Sequence, residues 1–237
     1  MIFYYAPKTV SLATHIALEE TGANYEARRL DFSITEQRSA EYLGINPKGR
    51  VPSLATDEGI LTETPALLAY LAQAFPAARL GPIENPFLFA KMQEFICYLC
   101  ATVHVAHAHR VRGVRWVDDP VAIEALKVKV PQNMAECFQL IEDGMLQGPW
   151  VMGAEYSVSD GYLFTVAQWL ASDGVDIADF PRVAEHAERM LQRAAVQKSF
   201  AAVSGLEHHR RQASVRAHAQ GRAVMLTVGN STGQKRY

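Results

Sequence analysis

Short apolar segments alternate with helix-like segments along the first third of the chain. The pattern predicts strands at residues 2–5, 25–30, 51–54 and 60–61, and helices at 10–21, 36–43 and 65–74. Gly22 closes the first helix, and Pro65 suits the first turn of the third. The elements therefore follow one another as β-α-β-α-β-β-α.

This order is typical of a thioredoxin-like α/β domain, in which helices cover both faces of a mixed sheet. Residues 75–82 carry two prolines and a glycine, and Asn85-Pro86 offers a new helix start, so we place a domain boundary here. Helical patterns then cover residues 86–112, 120–145, 159–172, 181–193 and 195–203. We expect a thioredoxin-like N-terminal domain at 1–78 and an all-α C-terminal domain at 86–206.

Two further segments bear on organisation. Ser157 and Asp160 have the spacing of a capping box at a helix start, a folding signal to which we assign no chemistry. Residues 207–237 are polar and mixed, and we predict a mobile tail that can be deleted without loss of activity. The basic run His208-His209-Arg210-Arg211 leaves a docking arm as the alternative.

Composition and charge indicate the size of the protein and disfavour some classes of binding partner. The chain has 237 residues with 49% apolar content, which suffices for two modest domains. Its net charge of −2 gives no global attraction to nucleic acid or an anionic membrane. Three cysteines and no secretion leader favour a reducing cytoplasm. No apolar run approaches the ~20 residues that span a bilayer.

The segment 46–54, Asn-Pro-Lys-Gly-Arg-Val-Pro-Ser-Leu, carries the most specific chemistry. Its apolar end lies between Gly49 and an acidic turn at 56–59, so it predicts a strand entering a hairpin. Pro52 removes one ladder donor and allows a cis Val51–Pro52 bond. The Val51 backbone would then face outward to pair with an extended peptide such as glutathione.

Glu63 and Thr64 stand where the third helix begins. A hydroxyl and free N–H groups there can hold a carboxylate, and Glu63 can pair with an ammonium group. The γ-glutamyl end of glutathione carries both groups. Either feature alone is also explained by an ordinary hairpin and a capped helix.

Together, the 46–54 motif, the Glu63-Thr64 pair, the element order and the capping box resemble the cytosolic glutathione S-transferases. The opening at residues 4–22 is similar to the bacterial beta-type branch, and the likeness covers about residues 1–205. The resemblance implies a glutathione-binding first domain, a second domain that supplies the electrophile pocket, and a homodimer with each site near the interface. It implies a transferase that activates the glutathione thiol for attack on a small hydrophobic electrophile.

One departure from that branch concerns the thiol site. The branch commonly has a cysteine before the serine, whereas Val10 precedes Ser11 here, so thiol–disulfide chemistry is not expected. Ser11 combines a hydroxyl with the positive end of the first helix, and Tyr5 offers a second donor. We predict that Ser11, then Tyr5, activates the thiol; a helix cap and a core tyrosine are the alternatives.

Cys97, Cys100, His104 and His107 fall on one stripe of a predicted helix. Such a stripe suggests zinc, but four ligands along one straight helix span ~15 Å, too far for one tetrahedral site. We expect no metal. The resemblance matches only His104, to a histidine that contacts substrate or thiol.

For two further side chains, the sequence leaves two roles open. Arg50 is placed either to bind the glycyl carboxylate of glutathione or to remain a solvated charge. Trp116 either lines the second pocket or packs the interhelical turn.

The sequence does not choose among conjugation, thiolytic dehalogenation and peroxide reduction. A glutathione-dependent isomerase is disfavoured, because the Ser-Ser-Cys type motif of those members is absent around Val10-Ser11. The alternative from another class is a non-catalytic or regulatory protein that binds glutathione or hydrophobic ligands with the same fold.

Overall fold

A computed structural model describes residues 1–202, and Met1–Gln197 form one compact unit. Its single described sheet has the order β2-β1-β3-β4, formed by Ile2–Tyr5 (β1), Glu26–Arg29 (β2), Ser53–Thr56 (β3) and Gly59–Thr62 (β4). β1 is parallel to β2 and antiparallel to β3, which is antiparallel to β4. This mixed sheet confirms the predicted thioredoxin-like fold.

The helices of this part are Ser11–Thr21 (α1), Ala40–Ile45 (α2) and Thr64–Ala74 (α3). The predicted helix at 36–43 is divided into a 3-10 turn, Glu36–Arg38, and α2, because Ser39 leaves the helical conformation and caps α2 through its side chain. β3 begins two residues later than predicted. Pro52 has no N–H to donate to the ladder, so regular pairing starts at Ser53.

The rest of the described chain is helical, as predicted. It comprises Pro86–Tyr98 (α4), His104–Arg112 (α5), Pro120–Leu140 (α6), Val158–Ala167 (α7), Pro181–Leu191 (α8) and residues 194–202. π-helical turns follow α4 at Leu99–Val103 and α6 at Ile141–Met145. Within residues 1–202, no helix has both the length and the apolarity needed to cross a bilayer.

The predicted domain boundary falls between α3 and α4. Because both parts belong to one compact unit, the division into residues 1–78 and 86–206 stays a prediction. The predicted tail at 207–237 lies outside the described residues.

Helix α7 joins the sheet part to the helical part. All ten of its residues are buried, and it packs against α1, α3, α4 and α8. Since α1 and α3 flank the sheet, the burial of α7 fixes how the two parts meet. A helix that is buried on every side is expected only in such an enclosed position, and its polar side chains must then find hydrogen-bond partners.

Asp160 anchors the start of α7. Its side chain is fully buried, and its carboxylate accepts hydrogen bonds from the backbone N–H groups of Val151 at 2.7 Å and Ser157 at 2.8 Å. Nε2 of His186, on α8, lies 3.0 Å from the same carboxylate. The predicted capping box is present, but the carboxylate also ties a preceding loop and a neighbouring helix to α7.

We expect Asp160→Asn to lower the free energy of unfolding by about 3 kcal/mol, because an amide cannot accept all these hydrogen bonds and leaves buried donors unpaired. Urea denaturation measures the change. Asp176→Asn is the matched control, because Asp176 is exposed and caps only the 3-10 turn Ile177–Asp179. Equal losses in the two variants would contradict the role assigned to Asp160.

A buried histidine makes stability depend on pH. His15 packs beside the stacked rings of Phe3 and Tyr5, each 5.3 Å from its own ring, and burial lowers its pKa to about 4, partly offset by Glu19. Between pH 6.5 and 4 the unfolded chain therefore binds a proton that the folded protein does not. Stability from this group is complete above about pH 6.5 and is lost as pH falls towards 4.

The expected loss from His15 is about 3 kcal/mol between pH 7 and pH 4. Urea denaturation at a series of pH values should show a shallower decline for His15→Gln than for the unsubstituted protein. Identical slopes would show that His15 does not carry this pH dependence.

Candidate functional site

A cavity of about 570 Å³ opens between the sheet part and the helical part. The sheet part contributes the loop after β1, the loop before β3 and the start of α3. The helical part contributes Cys100, His104, Tyr162 and Trp169, together with side chains near the end of α5. Both parts therefore form the walls of one space.

The loop before β3 is held by its own polar side chains. Asn46 is buried, and its Nδ2 donates to the carbonyl of Arg50 at 2.7 Å. The Tyr42 hydroxyl donates to the same carbonyl at 2.6 Å. The Val51–Pro52 peptide bond is cis, the isomer that Pro52 allows, and both residues line the cavity. The predicted peptide-binding edge thus faces the cavity.

Gly49 allows a side chain from a neighbouring segment to reach this wall. Its φ is +59°, and a Cβ there would lie 2.9 Å from both the Gln37 carbonyl oxygen and Nη1 of Arg38. Glycine meets both constraints, because it has no Cβ and tolerates positive φ. Arg38 can therefore cross the loop and line the cavity.

The start of α3 presents an acid and a helix N-terminus side by side. Glu63 has a φ of +74°, a strained conformation for a residue with a side chain, and such strain is concentrated at ligand clamps. Thr64 is buried and opens α3. Both line the cavity. Nζ of Lys48 lies 2.6 Å from Oε1 of Glu63, so a ligand ammonium group would share or replace that ion pair.

The loop before α1 contains a hydroxyl pair. Oγ1 of Thr9 donates to the Ala6 carbonyl at 2.7 Å and lies 2.6 Å from Oγ of Ser11. The Ser11 hydroxyl is buried and donates to the same carbonyl at 3.0 Å. Thr9 lines the cavity, whereas Ser11 lies behind it. Sequence reasoning missed Thr9, although a hydroxyl next to a helix start was a usable signal.

Tyr5 is also set back from the cavity. Its ring stacks on Phe3 at a centroid distance of 5.6 Å, and burial raises the pKa of its hydroxyl. Within residues 1–202, that buried hydroxyl has no hydrogen-bond partner. The assignment of Ser11 and Tyr5 as thiol activators stays a prediction, and neither residue is part of the described cavity wall.

His104 lines the cavity with its ring 5.0 Å from that of Trp169. Its pKa falls to about 4, mainly through burial and further through the charges of His107, Arg112, Arg115 and Arg50. The imidazole is therefore neutral at pH 7.

A second histidine of the cavity is held by a buried acid that the sequence did not reveal. Nδ1 of His107 lies 2.7 Å from Oδ2 of Asp173, and its ring stacks on Trp169 at 4.2 Å. The Asp173 side chain is fully buried, and its Oδ1 lies 2.8 Å from Nε of Arg110. Only tertiary packing brings these groups together, because Asp173 is 66 residues from His107 in the chain.

The cysteine–histidine stripe is divided in space. Cys97 is exposed, while Cys100, His104 and His107 line the cavity. The π-helical turn Leu99–Val103 interrupts the stripe, so the spacing of a regular helix does not hold along it. Among residues 1–202, no three or more histidine, cysteine or acidic side chains form a group that could hold a metal ion.

Trp116 contacts both the cavity and a neighbouring aromatic ring, and its role in a second pocket stays a prediction. It lines the cavity, and it packs edge-on against His109 at a centroid distance of 4.4 Å.

The lining of the cavity is strongly cationic. Within the described part of the chain, the lining includes one acidic side chain, Glu63, and five cationic ones, contributed by Lys8, Arg38, Arg50, Arg112 and Arg115. The whole chain has a formal net charge of −2, so the positive charge is a local property of this site. The arrangement favours an anionic ligand.

Comparison with known proteins agrees with the geometry. Residues 1–73 match the family model described as glutathione S-transferase, N-terminal domain. The chain is 28% identical to glutathione S-transferase GstA of Escherichia coli O157:H7, over 85% of this chain and 98% of that protein. It is 30% identical to maleylacetoacetate isomerase of Pseudomonas aeruginosa, over 84% of this chain and 92% of that protein.

Solved structures extend the comparison. A glutathione transferase homologue from Sulfitobacter, crystallised with bound glutathione, is 43% identical, with a TM-score of 0.81 over 87% of this chain and 97% of that one. The bacterial glutathione S-transferase BphK, in a ternary complex, is 30% identical, with a TM-score of 0.75 over 85% of this chain and 98% of that one. The chain belongs to the glutathione S-transferase family.

Proposed function

We propose that the protein is a glutathione transferase that activates the glutathione thiol for attack on a small electrophile. The observation that carries this proposal is that Val51, Pro52, Glu63 and Thr64 line the same cavity as the residues just before α1. The Sulfitobacter homologue, which holds glutathione, supports it. A homodimer in the cytoplasm remains our expectation from the family resemblance.

Each part of glutathione can be matched to a group of the cavity wall by its charge and hydrogen-bonding capacity. The γ-glutamyl carboxylate binds the N-terminus of α3 and the Thr64 hydroxyl, and its ammonium group pairs with Glu63. The Val51 backbone pairs with the cysteinyl residue, and Arg50 binds the glycyl carboxylate. This orientation directs the thiol towards Thr9 and Val10.

The site must make a thiolate from a weak acid. A free thiol with a pKa near ~8.5 is only about 3% ionised at pH 7. Lowering that pKa by about two units takes ~2.7 kcal/mol of preferential stabilisation. The N-terminus of α1 and the cationic lining favour the thiolate. The Thr9 hydroxyl donates to the thiolate by turning its single proton away from the Ala6 carbonyl, while Ser11 keeps its own hydrogen bond to that carbonyl.

His104 acts in this scheme as a hydrogen-bond partner. Its pKa of about 4 makes it a poor proton acceptor, because moving a proton to it from a thiol of pKa near 8.5 costs about 6 kcal/mol. In a conjugation with an aryl halide, the thiolate sulfur forms the carbon–sulfur bond and the halide leaves with the bonding electrons. The thiol proton passes to solvent.

Calorimetric titration with glutathione, run beside a conjugation assay with an aryl halide, tests the function. We expect binding with turnover, and a glutathione affinity at least about tenfold lower in Glu63→Gln, because the ligand ammonium loses its acidic partner. Glu58→Gln, at an exposed position in the β3–β4 turn, is the control and should bind normally. No binding would contradict the proposal, and binding without turnover would favour a non-catalytic carrier.

The thiol assignment is tested by the pH dependence of kcat/KM for conjugation. We expect Thr9→Val and Ser11→Ala to raise the apparent pKa of the bound thiol by about one unit and to lower kcat/KM about tenfold below that pKa. Tyr5→Phe, which removes the second predicted donor, should raise this pKa less than the other two changes, because its hydroxyl lies off the cavity wall. Denaturation of each variant checks its folding, and an altered profile in Tyr5→Phe alone would reverse the assignment.

A further inference from the structure

Two arginines at the helical wall of the cavity have no acidic partner among residues 1–202. Arg112 ends α5, and Arg115 lies in the 3-10 turn Gly113–Arg115 that follows it. Both line the cavity, and Arg112 is only partly exposed. Within residues 1–202, neither forms an ion pair.

The arginines also repel one another. Burial lowers the pKa of the Arg112 guanidinium, and the charge of Arg50 lowers it further. For Arg115 the same direction follows from burial and the charges of Arg112, Arg50 and Arg38. Gathering like charges at one wall opposes folding, and a bound anion would relieve that cost.

Bound glutathione would leave the positive charges of Arg112 and Arg115 unpaired. Under the proposed function, its γ-glutamyl carboxylate is held by the start of α3, its ammonium by Glu63, and its glycyl carboxylate by Arg50. Arg112 and Arg115 then remain for the second substrate. Ala108 lies one helical turn before Arg112, and Trp116 follows Arg115, so an apolar surface adjoins the two guanidinium groups.

We propose that the second substrate is an electrophile that carries a carboxylate, bound by Arg112 and Arg115 with its apolar part against Ala108 and Trp116. A guanidinium matches a carboxylate because its planar fork donates two parallel hydrogen bonds. This inference rests on the proposed function and specifies the substrate class of the same site.

A matched pair of electrophiles tests it: 4-chloro-3-nitrobenzoate and 4-chloro-3-nitrobenzamide. In both, the thiolate forms a bond to the ring carbon and chloride leaves with the electron pair. The ratio of their kcat/KM values, compared between variants, cancels their intrinsic difference in reactivity. We expect Arg112→Gln and Arg115→Gln each to lower the benzoate-to-benzamide ratio about tenfold, and the double variant to lower it further.

Arg79→Gln is the matched control, because Arg79 is exposed and paired with Glu155, and it is not part of the cavity lining. Its ratio should equal that of the unsubstituted protein. Calorimetric titration of each variant with glutathione separates the two substrates. A weakened glutathione affinity with an unchanged ratio would assign the arginines to glutathione and overturn the proposal, as would an equal loss with both electrophiles.

A binding measurement keeps the inference testable without turnover. Protein saturated with S-methylglutathione should bind 4-nitrobenzoate at least about tenfold more tightly than 4-nitrobenzamide, and Arg112→Gln should remove that preference. Equal affinities in the unsubstituted protein would overturn the proposal. Failure to bind glutathione or S-methylglutathione would instead count against the proposed function, and the preference for 4-nitrobenzoate would then be measured on the free protein.

Discussion

The buried carboxylate of Asp160 is the interaction on which the placement of the site depends. It fixes the start of α7 and connects it to the Val151 backbone and to His186 on α8. With its end held, α7 can be buried along its whole length against α1 and α3. Those two helices begin beside Thr9 and at Thr64, where we propose that the thiol and the γ-glutamyl end of glutathione bind. A capping interaction at the start of α7 therefore helps to hold the two helices whose first residues border the cavity.

The sheet part and the helical part contribute different kinds of binding group to the cavity. The sheet part offers directional groups: a peptide edge at the cis Val51–Pro52 bond, and helix N-termini that favour negative charge. The helical part offers a cationic wall around Arg112 and two histidines packed on Trp169. Protein walls of low dielectric strengthen electrostatic interactions inside the cavity. Each part therefore strengthens the attraction between a bound anion and the charged groups of the other part.

Local features of the fold could be predicted from the sequence. The order of elements along the chain, the permitted cis bond and the capping box depend on residues close together in the chain, and all three are present. The observed ends of strands and helices differ from the predicted ones where a single residue determines the end. Pro52, for example, delays the start of β3. The π-helical turn at Leu99–Val103 has no pattern in hydrophobicity that would have revealed it.

The site was harder to predict because it depends on contacts between distant segments. The pairing of His107 with Asp173 joins residues on separate helices. Arg38 reaches the cavity only because Gly49 leaves room for it. The sequence singled out Ser11 for its position at a helix start, but it could not show that Thr9 stands between Ser11 and the cavity.

The crystal structure of the protein with bound glutathione is the most direct test of the central claim, that this cavity holds and activates the thiol. The account predicts the γ-glutamyl carboxylate at the N-terminus of α3, the cysteinyl backbone paired with Val51, and the sulfur within ~3.5 Å of the Thr9 hydroxyl. Glutathione bound away from Val51 and Thr64, or with its sulfur remote from the α1 loop, would contradict it.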